Sequence, residues 1–163
     1  MNNPQSSVSR YVRIRAAVWK TTAVAWAGLI FYLSTGTFGG SLTASLLSQI
    51  LSFLHANVSP STFEALHHVF RKSAHLTEYA IFAILMYGSR RDEHPFDWRA
   101  RRALACLVMA SAYSLTDEFH QIFVPGRGPS LVDCGIDTVG AGLGLLLFYV
   151  RGWLAGSTVG ETS

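Results

Sequence analysis

The stretch at residues 131–150 reads LVDCGIDTVGAGLGLLLFYV, and it decides the fold class of this 163-residue chain. Its later part, residues 138–150, carries no charge, whereas its first part contains Asp133 and Asp137. At about 1.5 Å per helical residue the charge-free part covers about 20 Å, while a bilayer hydrocarbon core is about 30 Å thick. A helix that crosses a membrane here must therefore carry both acids with it.

Two other stretches have the same design. The charge-free runs at residues 79–89 and 103–116 are also too short to cross a membrane, and polar residues complete each of them. A longer apolar run at residues 16–33 precedes them, and Lys20 is its one charge. That run is predicted to span the membrane, with a cleaved secretory signal as the alternative interpretation.

These stretches predict an all-α fold, an integral membrane four-helix bundle. Its helices are expected at residues 16–34, 62–89, 103–123 and 131–151. An extra interfacial or re-entrant helix is expected over residues 42–56 in the first outer loop, where leucine and isoleucine recur at helical spacing. One membrane domain, residues 16–151, therefore lies between a cytoplasmic N-terminal tail and a flexible C-terminal tail, residues 1–15 and 152–163.

The composition agrees with a membrane location. Hydrophobic residues make up 50% of the chain and charged residues 14%, whereas soluble domains run near a quarter charged. The net charge of +3 is too small to indicate nucleic-acid binding, so no nucleic acid is expected as a partner. Cys106 and Cys134 lack metal-ligand spacing and are expected to be free, buried thiols.

The basic residues predict the orientation of the helices. Most of the 13 lysines and arginines precede the first helix, lie between the second and third, or follow the fourth: Arg10, Arg13, Arg15, Lys20, Arg90, Arg91, Arg99, Arg101, Arg102 and Arg151. Arg71, Lys72 and Arg127 lie on the other side. By the positive-inside rule both termini are expected on the cytoplasmic side of a cell membrane, with the polar helix ends facing outward.

The outward-facing polar ends form the candidate site. Arg71, His75 and Glu78 share one face of the second helix, and Asp117 shares a face of the third with Gln121. Charged groups at membrane depth are costly, so these ends are expected to face one another or a water-filled cavity. The candidate ligand-binding residues are Arg71, Lys72, His75, Glu78, Asp117, Glu118, Gln121, Arg127, Ser130, Asp133 and Asp137.

Capping signals mark the starts of two helices. Ser61 with Glu64 predicts a capping box at the start of the second helix, and Ser130 with Asp133 predicts one at the start of the fourth. Asp133 therefore has two interpretations, as a residue of the site or as a helix cap alone.

A pair of glycines in the fourth helix indicates how it packs. Gly140 and Gly144 have the GxxxG spacing, which lets a neighbouring helix approach closely. Packing within the chain is favoured over dimerisation, and the oligomeric state stays open.

The ordered polar residues resemble the VanZ-like family. The resemblance rests on Arg71-Lys72-Ser73-Ala74-His75 with Glu78-Tyr79, Asp117-Glu118 with Gln121 and Phe123, Pro125-Gly126-Arg127, Ser130, Asp133, and Asp137 with Gly140-Ala141 and Gly144. It covers residues 70–149, and at Asp137 the family pattern more often has Asn. The resemblance implies a multi-pass membrane protein, and the family's namesake is associated with low-level resistance to the lipoglycopeptide teicoplanin.

Two main classes of function fit these residues. The first is a cell-envelope protein whose outer cavity binds a lipid-like or lipid-linked envelope molecule, with Arg71, Lys72 and Arg127 on its phosphate or carboxylate. By the resemblance, such a protein contributes to teicoplanin-type resistance. The second is a membrane-embedded acid–base or metal-dependent hydrolase or transferase that acts on a lipid-linked substrate. Its catalytic candidates are His75, Glu78, Asp117, Glu118 and Asp133.

Two further interpretations are kept as alternatives. A proton or ion pathway is disfavoured because the inner halves of the last three helices are nearly all apolar. A structural ion-pair network that fixes helix register is the other. No HExxH or GxSxG motif is present, so the sequence leaves enzymatic activity, metal and cofactor open.

Overall fold

The structure is a computed structural model that describes residues 4–35, 39–89, 98–124 and 129–157. Five helices occupy the described residues, and no strand occurs among them. They are α1 Pro4–Ser34, α2 Gly39–Phe53, α3 Pro60–Ser89, α4 Ala100–Gln121 and α5 Leu131–Ser157. The predicted all-α class is therefore confirmed.

The helix bounds differ from the predicted ones mainly at the chain's two ends. Helix α1 begins at Pro4 rather than at residue 16, and α5 continues to Ser157 beyond the predicted end at residue 151. Both extensions contain poor helix formers, such as Gly152 and Gly156 in α5, but each continues a long helix and therefore needs no new nucleus. Arg90 and Arg91, which contribute to the predicted orientation, lie outside the described residues.

Two of the described helices are long and apolar enough to cross a membrane. They are the segments Arg10–Ser34 in α1 and Leu131–Leu154 in α5, and Leu42–Phe53 in α2 is a shorter apolar segment. Helices α3 and α4 have the length to cross a membrane but are less apolar than these two segments. The polar residues that interrupt α3 and α4 lower the mean hydropathy of these two helices.

Helix α3 lies at the centre and contacts the other four helices. Its closest approach is to α5, where a Cβ on Gly140 would collide with the Leu76 carbonyl and one on Gly144 with the Ala80 carbonyl. The glycine pair is therefore used for packing within the chain, as predicted. Large side chains could not be placed at these two positions without separating the helices.

Helix α1 is held against the bundle by two side-chain hydrogen bonds. The Trp26 indole N–H donates to the backbone carbonyl of Glu78 at 2.9 Å, and the Tyr113 hydroxyl donates to the carbonyl of Ala27 at 2.7 Å. These two bonds connect the C-terminal half of α1 to α3 and α4. The C-terminal end of α1 therefore lies beside the polar ends of both helices.

The start of α3 corrects one capping prediction. Ser59 caps the helix, because its Oγ accepts a hydrogen bond from the Thr62 N–H at 3.2 Å. The predicted capping box of Ser61 with Glu64 is wrong by two residues, since the helix already begins at Pro60. Proline is favoured in the first turn, because the N–H that it lacks would have no partner within the helix there. The residue before it, Ser59, is therefore the cap.

Candidate functional site

The polar ends of α3, α4 and α5 meet in one cluster. We call this the polar cluster and define its described members as Arg71, Lys72, His75, Asp117, Glu118, Gln121, Ser130, Asp133 and Asp137. Its four acids and Gln121 are all buried, with exposures between 1% and 6%. Burial of so many polar groups is costly unless they are paired or bind something.

Asp133 lies in the first turn of α5 and joins this helix to α3. Its carboxylate is 3.2 Å from the Arg71 guanidinium and 3.4 Å from the Lys72 ammonium. The two basic side chains are 33% and 45% exposed, whereas the Asp133 side chain is 8% exposed. The acid is therefore fixed, while both cations remain accessible from outside the bundle.

Asp137 lies one turn deeper and joins three helices. Its Oδ2 accepts a hydrogen bond from the Ser114 hydroxyl of α4 at 2.6 Å. The His75 Nδ1 of α3 is 3.4 Å from its Oδ1. Ser114 was not among the sequence candidates, although it lies on the helix face of Asp117 and Gln121, three and seven residues before them.

Glu118 completes the cap of α5 from the neighbouring helix. The Ser130 Oγ accepts the N–H of Asp133 at 3.2 Å, which confirms Ser130 as the cap. The return bond of the predicted capping box is absent among the described residues, because the Asp133 carboxylate faces Arg71 and Lys72 instead. Glu118 replaces it by accepting the Ser130 N–H at 2.6 Å. An acid here is also favoured by the helix dipole.

Asp117 brings the end of α1 into the cluster. Its carboxyl group, on a residue 3% exposed, lies beside the side chains of Ser34 and Gln121. Ser34 is itself buried at 4% exposure and was not predicted as a site residue. A serine at the end of an apolar helix gives no local signal that a distant acid will lie beside it.

Several buried polar atoms of the cluster have no hydrogen-bond partner in the described part of the chain. They are His75 Nδ1, Tyr79 Oη, Asp117 Oδ1, Glu118 Oε1, Gln121 Nε2 and Asp137 Oδ1. Native interiors leave few such groups, so water or a bound molecule that supplies polar atoms would be favoured at this place.

Glu78 occupies a separate position on the α1 side of α3. It is half-buried and lines an open groove of about 360 Å³ with Trp26, Phe70, Ser73, Ala74, Thr77 and Ile81. The groove is mostly apolar, and its α3 residues neighbour Arg71 and Lys72 along the helix. Glu78 is therefore a border residue between the groove and the cluster.

Arg127, possible metal ligands and the two cysteines complete the comparison with the sequence analysis. Arg127 lies outside the described residues, as do its neighbours at 125, 126 and 128, so its placement stays a prediction. Within the described ranges, no group of three or more His, Cys, Asp or Glu side chains is arranged to hold a metal ion. Cys106 and Cys134 are buried and form no disulfide, as predicted.

The comparisons with known proteins give one match. The family model described as VanZ/LLP1 matches residues 20–153, which include every described member of the polar cluster. No curated protein matches the chain. No solved structure matches it.

Proposed function

Because this chain belongs to the VanZ/LLP1 family, we propose that it is a multi-pass cell-envelope membrane protein whose polar cluster binds a lipid-like or lipid-linked envelope molecule. The observation that carries this proposal is the pair Arg71 and Lys72, two accessible cations held side by side over buried acids. We also propose that the protein contributes to teicoplanin-type glycopeptide resistance, as the family name suggests.

The exposed surface of α4 supports four membrane crossings. Leu104, Val108, Leu115 and Phe119 are each more than half exposed and recur on one face. This stripe covers about 22 Å at about 1.5 Å per residue and passes behind the acids of the cluster. A continuous apolar stripe of this length fits contact with lipid, and α3 packs against α1, α4 and α5, which would all cross.

The orientation follows from the charges at the two ends. The described basic residues outside the cluster lie toward the opposite end of the helices, so the positive-inside rule favours cytoplasmic termini and an outward-facing cluster. In this orientation the ligand would approach from the outer leaflet or the envelope space. The short apolar helix α2 packs against α3 and would lie in the outer interface.

The two cations suit a phosphate or carboxylate group. Both contact the carboxylate of Asp133, which shows that the two side chains can bind one anionic group together. Their exposed sides remain accessible to an anionic group of a ligand. A phosphate offers more acceptor oxygens than one carboxylate, and hydrogen bonds between charged partners are the stronger kind. The adjoining apolar groove lined by Trp26, Phe70 and Ile81 would then hold a hydrocarbon chain.

An acid–base hydrolase or transferase is the second candidate function. The contact between His75 and Asp137 favours it, since a carboxylate beside imidazole orients a general base. However, Ser114 donates to Asp137 rather than to His75, so the three residues do not form a nucleophile relay. His75 would have to act directly on a bound ligand.

The proposal is tested by expressing the chain in a teicoplanin-susceptible host. Lys72→Gln should remove protection while leaving the amount and unfolding temperature of purified protein near the wild-type values. Lys20→Gln, which removes the same charge from the exposed face of α1, is the matched control and should protect normally. Equal protection by both variants, at equal protein levels, would reject a role for Lys72.

A further inference from the structure

The polar cluster contains more buried acid than its described cations balance. Both of its described cations face Asp133. Asp117 and Glu118 have no lysine or arginine within ion-pair distance among the residues that the structure describes, and Asp137 has only the His75 imidazole, at 3.4 Å. These three acids are 3%, 4% and 1% exposed. A buried carboxylate without an opposite charge is strongly destabilising, so the site calls for positive charge from elsewhere.

Each of the three acids also presents one unused oxygen. Glu118 uses Oε2 for the Ser130 N–H and Asp137 uses Oδ2 for the Ser114 hydroxyl, while Oε1 and Oδ1 accept no hydrogen bond in the described chain. The same is true of Asp117 Oδ1. These oxygens, each on a side chain more than nine-tenths buried, point to a ligand with several donors.

Neighbouring groups add to this acceptor surface. The Tyr79 hydroxyl, on a fully buried residue, lies beside Asp117 and Asp137 and has no described hydrogen-bond partner. His75 Nδ1 is 3.4 Å from Asp137 Oδ1 but outside hydrogen-bond geometry. The phenol oxygen can accept a further bond, and Asp117 lies near both Glu118 and Asp137, so the unused oxygens belong to neighbouring side chains.

A primary ammonium group matches this demand. It carries one positive charge and three N–H donors on a compact nitrogen, and it has no acceptor. Water would satisfy the oxygens but not the charge. A quaternary trimethylammonium group would supply the charge without any N–H donor.

The ammonium position lies next to the phosphate position. Asp133 and Asp137 are one turn apart on α5, which corresponds to about 6 Å along the helix axis. The accessible cations at the outer level and the buried acids one turn below are therefore complementary to a group that carries a phosphate and an amine on a short spacer.

We propose that the polar cluster binds an amphiphile whose headgroup bears a primary ammonium group beside its phosphate. The ammonium lies among Asp117, Glu118 and Asp137, and the phosphate lies at Arg71 and Lys72. The phosphate half of this inference rests on the proposed function above, whereas the ammonium half rests on the three buried acids, their unused oxygens and the unpartnered Tyr79 hydroxyl.

The test uses the purified full chain in an uncharged detergent and a set of short-chain lipids. Phosphatidylethanolamine has both groups, phosphatidylcholine lacks N–H donors, and phosphatidic acid lacks the amine. Phosphatidylethanolamine should bind about tenfold more tightly than either of the others, which is about 1.4 kcal/mol. Free phosphoethanolamine should bind more weakly than the lipid, because it cannot use the apolar groove.

Isosteric variants locate the preference. Asp117→Asn should remove most of the preference for phosphatidylethanolamine over phosphatidylcholine, because a primary ammonium makes its strongest hydrogen bonds to a charged acceptor. Glu118→Gln is the second variant if Asp117→Asn does not accumulate. Glu64→Gln makes the same chemical change at an exposed acid of α3 and should behave as wild type.

The outcomes separate the two proposals. Equal binding of all three lipids, lost on Arg71→Gln with Lys72→Gln, would overturn the ammonium inference and leave phosphate binding intact. Binding of dodecylamine that Asp117→Asn abolishes, without binding of any phosphate lipid, would support the ammonium site and overturn the proposed function. A preference for phosphatidylethanolamine that survives both isosteric variants would overturn the placement of the ammonium.

Discussion

At the scale of single residues, Asp137 ties three helices together. Its two oxygens face Ser114 on α4 and His75 on α3, and its own backbone belongs to α5. Removing one partner leaves a buried acceptor without its donor, which costs more than the bond itself contributes. The site is therefore sensitive to small changes at positions that carry no charge.

Ser114→Ala is the direct test of this dependence. We expect the free energy of unfolding in detergent to fall by about 1–3 kcal/mol, because the Asp137 carboxylate loses its hydrogen-bond donor. Ser48→Ala is the control, since this exposed hydroxyl bonds to a carbonyl of its own helix and should change stability by less than about 0.5 kcal/mol. A loss no larger than that of the control would contradict the assigned bond.

Asp137→Asn should be tolerated far better than Asp137→Leu. The amide oxygen can still accept the Ser114 hydroxyl, and the position fits the Asn that the family pattern more often carries. The leucine side chain instead leaves both Ser114 and His75 without their acid. Unfolding temperatures of the two variants should therefore rank asparagine above leucine, and the reverse order would contradict this account of the site.

The sequence predicted the charged residues of the site but not its serines. Acids and bases inside apolar helices are conspicuous because burial makes them costly, so Arg71, Asp117 and Asp133 were found by position alone. Ser34 and Ser114 join the cluster through partners far away in sequence. Serine is common in apolar helices, so nothing local separates a structural hydroxyl from one that meets an acid.

At the scale of secondary structure, the contact between α3 and α5 determines how deeply the cluster is enclosed. Gly140 and Gly144 place the two backbones so close that α5 brings Asp133 and Asp137 against Arg71 and His75. The GxxxG spacing predicted this close approach. Membrane crossing by α3 and α4 stays a prediction, because the polar residues that build the cluster also weaken the hydropathy signal of these two helices.

Substitutions at three glycines of α5 test this contact with an internal control. Gly140→Ala and Gly144→Ala should each lower the free energy of unfolding by about 1–3 kcal/mol, because the new methyl group meets the α3 backbone. Gly142→Ala, two residues from each, meets nothing within 4 Å and should raise stability by up to about 1 kcal/mol through helix propensity. Losses of similar size at all three positions would contradict the packing.

At the scale of the whole molecule, the proposed orientation has a direct consequence for fused reporters. With both termini on the cytoplasmic side, green fluorescent protein at the C-terminus should fluoresce, and alkaline phosphatase at the same position should be inactive. Alkaline phosphatase inserted after residue 56, in the proposed outer loop, should be active. An active phosphatase at the C-terminus would reverse the orientation and place the polar cluster on the cytoplasmic side.

The proposed function of the whole molecule depends most on one interaction, the binding of an amphiphile's phosphate by Arg71 and Lys72. Calorimetric titration of the purified chain with short-chain phosphatidic acid measures this directly, with the matching diacylglycerol as the phosphate-free control. We predict saturable binding that weakens at least about tenfold in the double variant Arg71→Gln, Lys72→Gln and is unchanged in Lys20→Gln. Binding of equal strength by the double variant, or equal binding of the diacylglycerol, would contradict the claim.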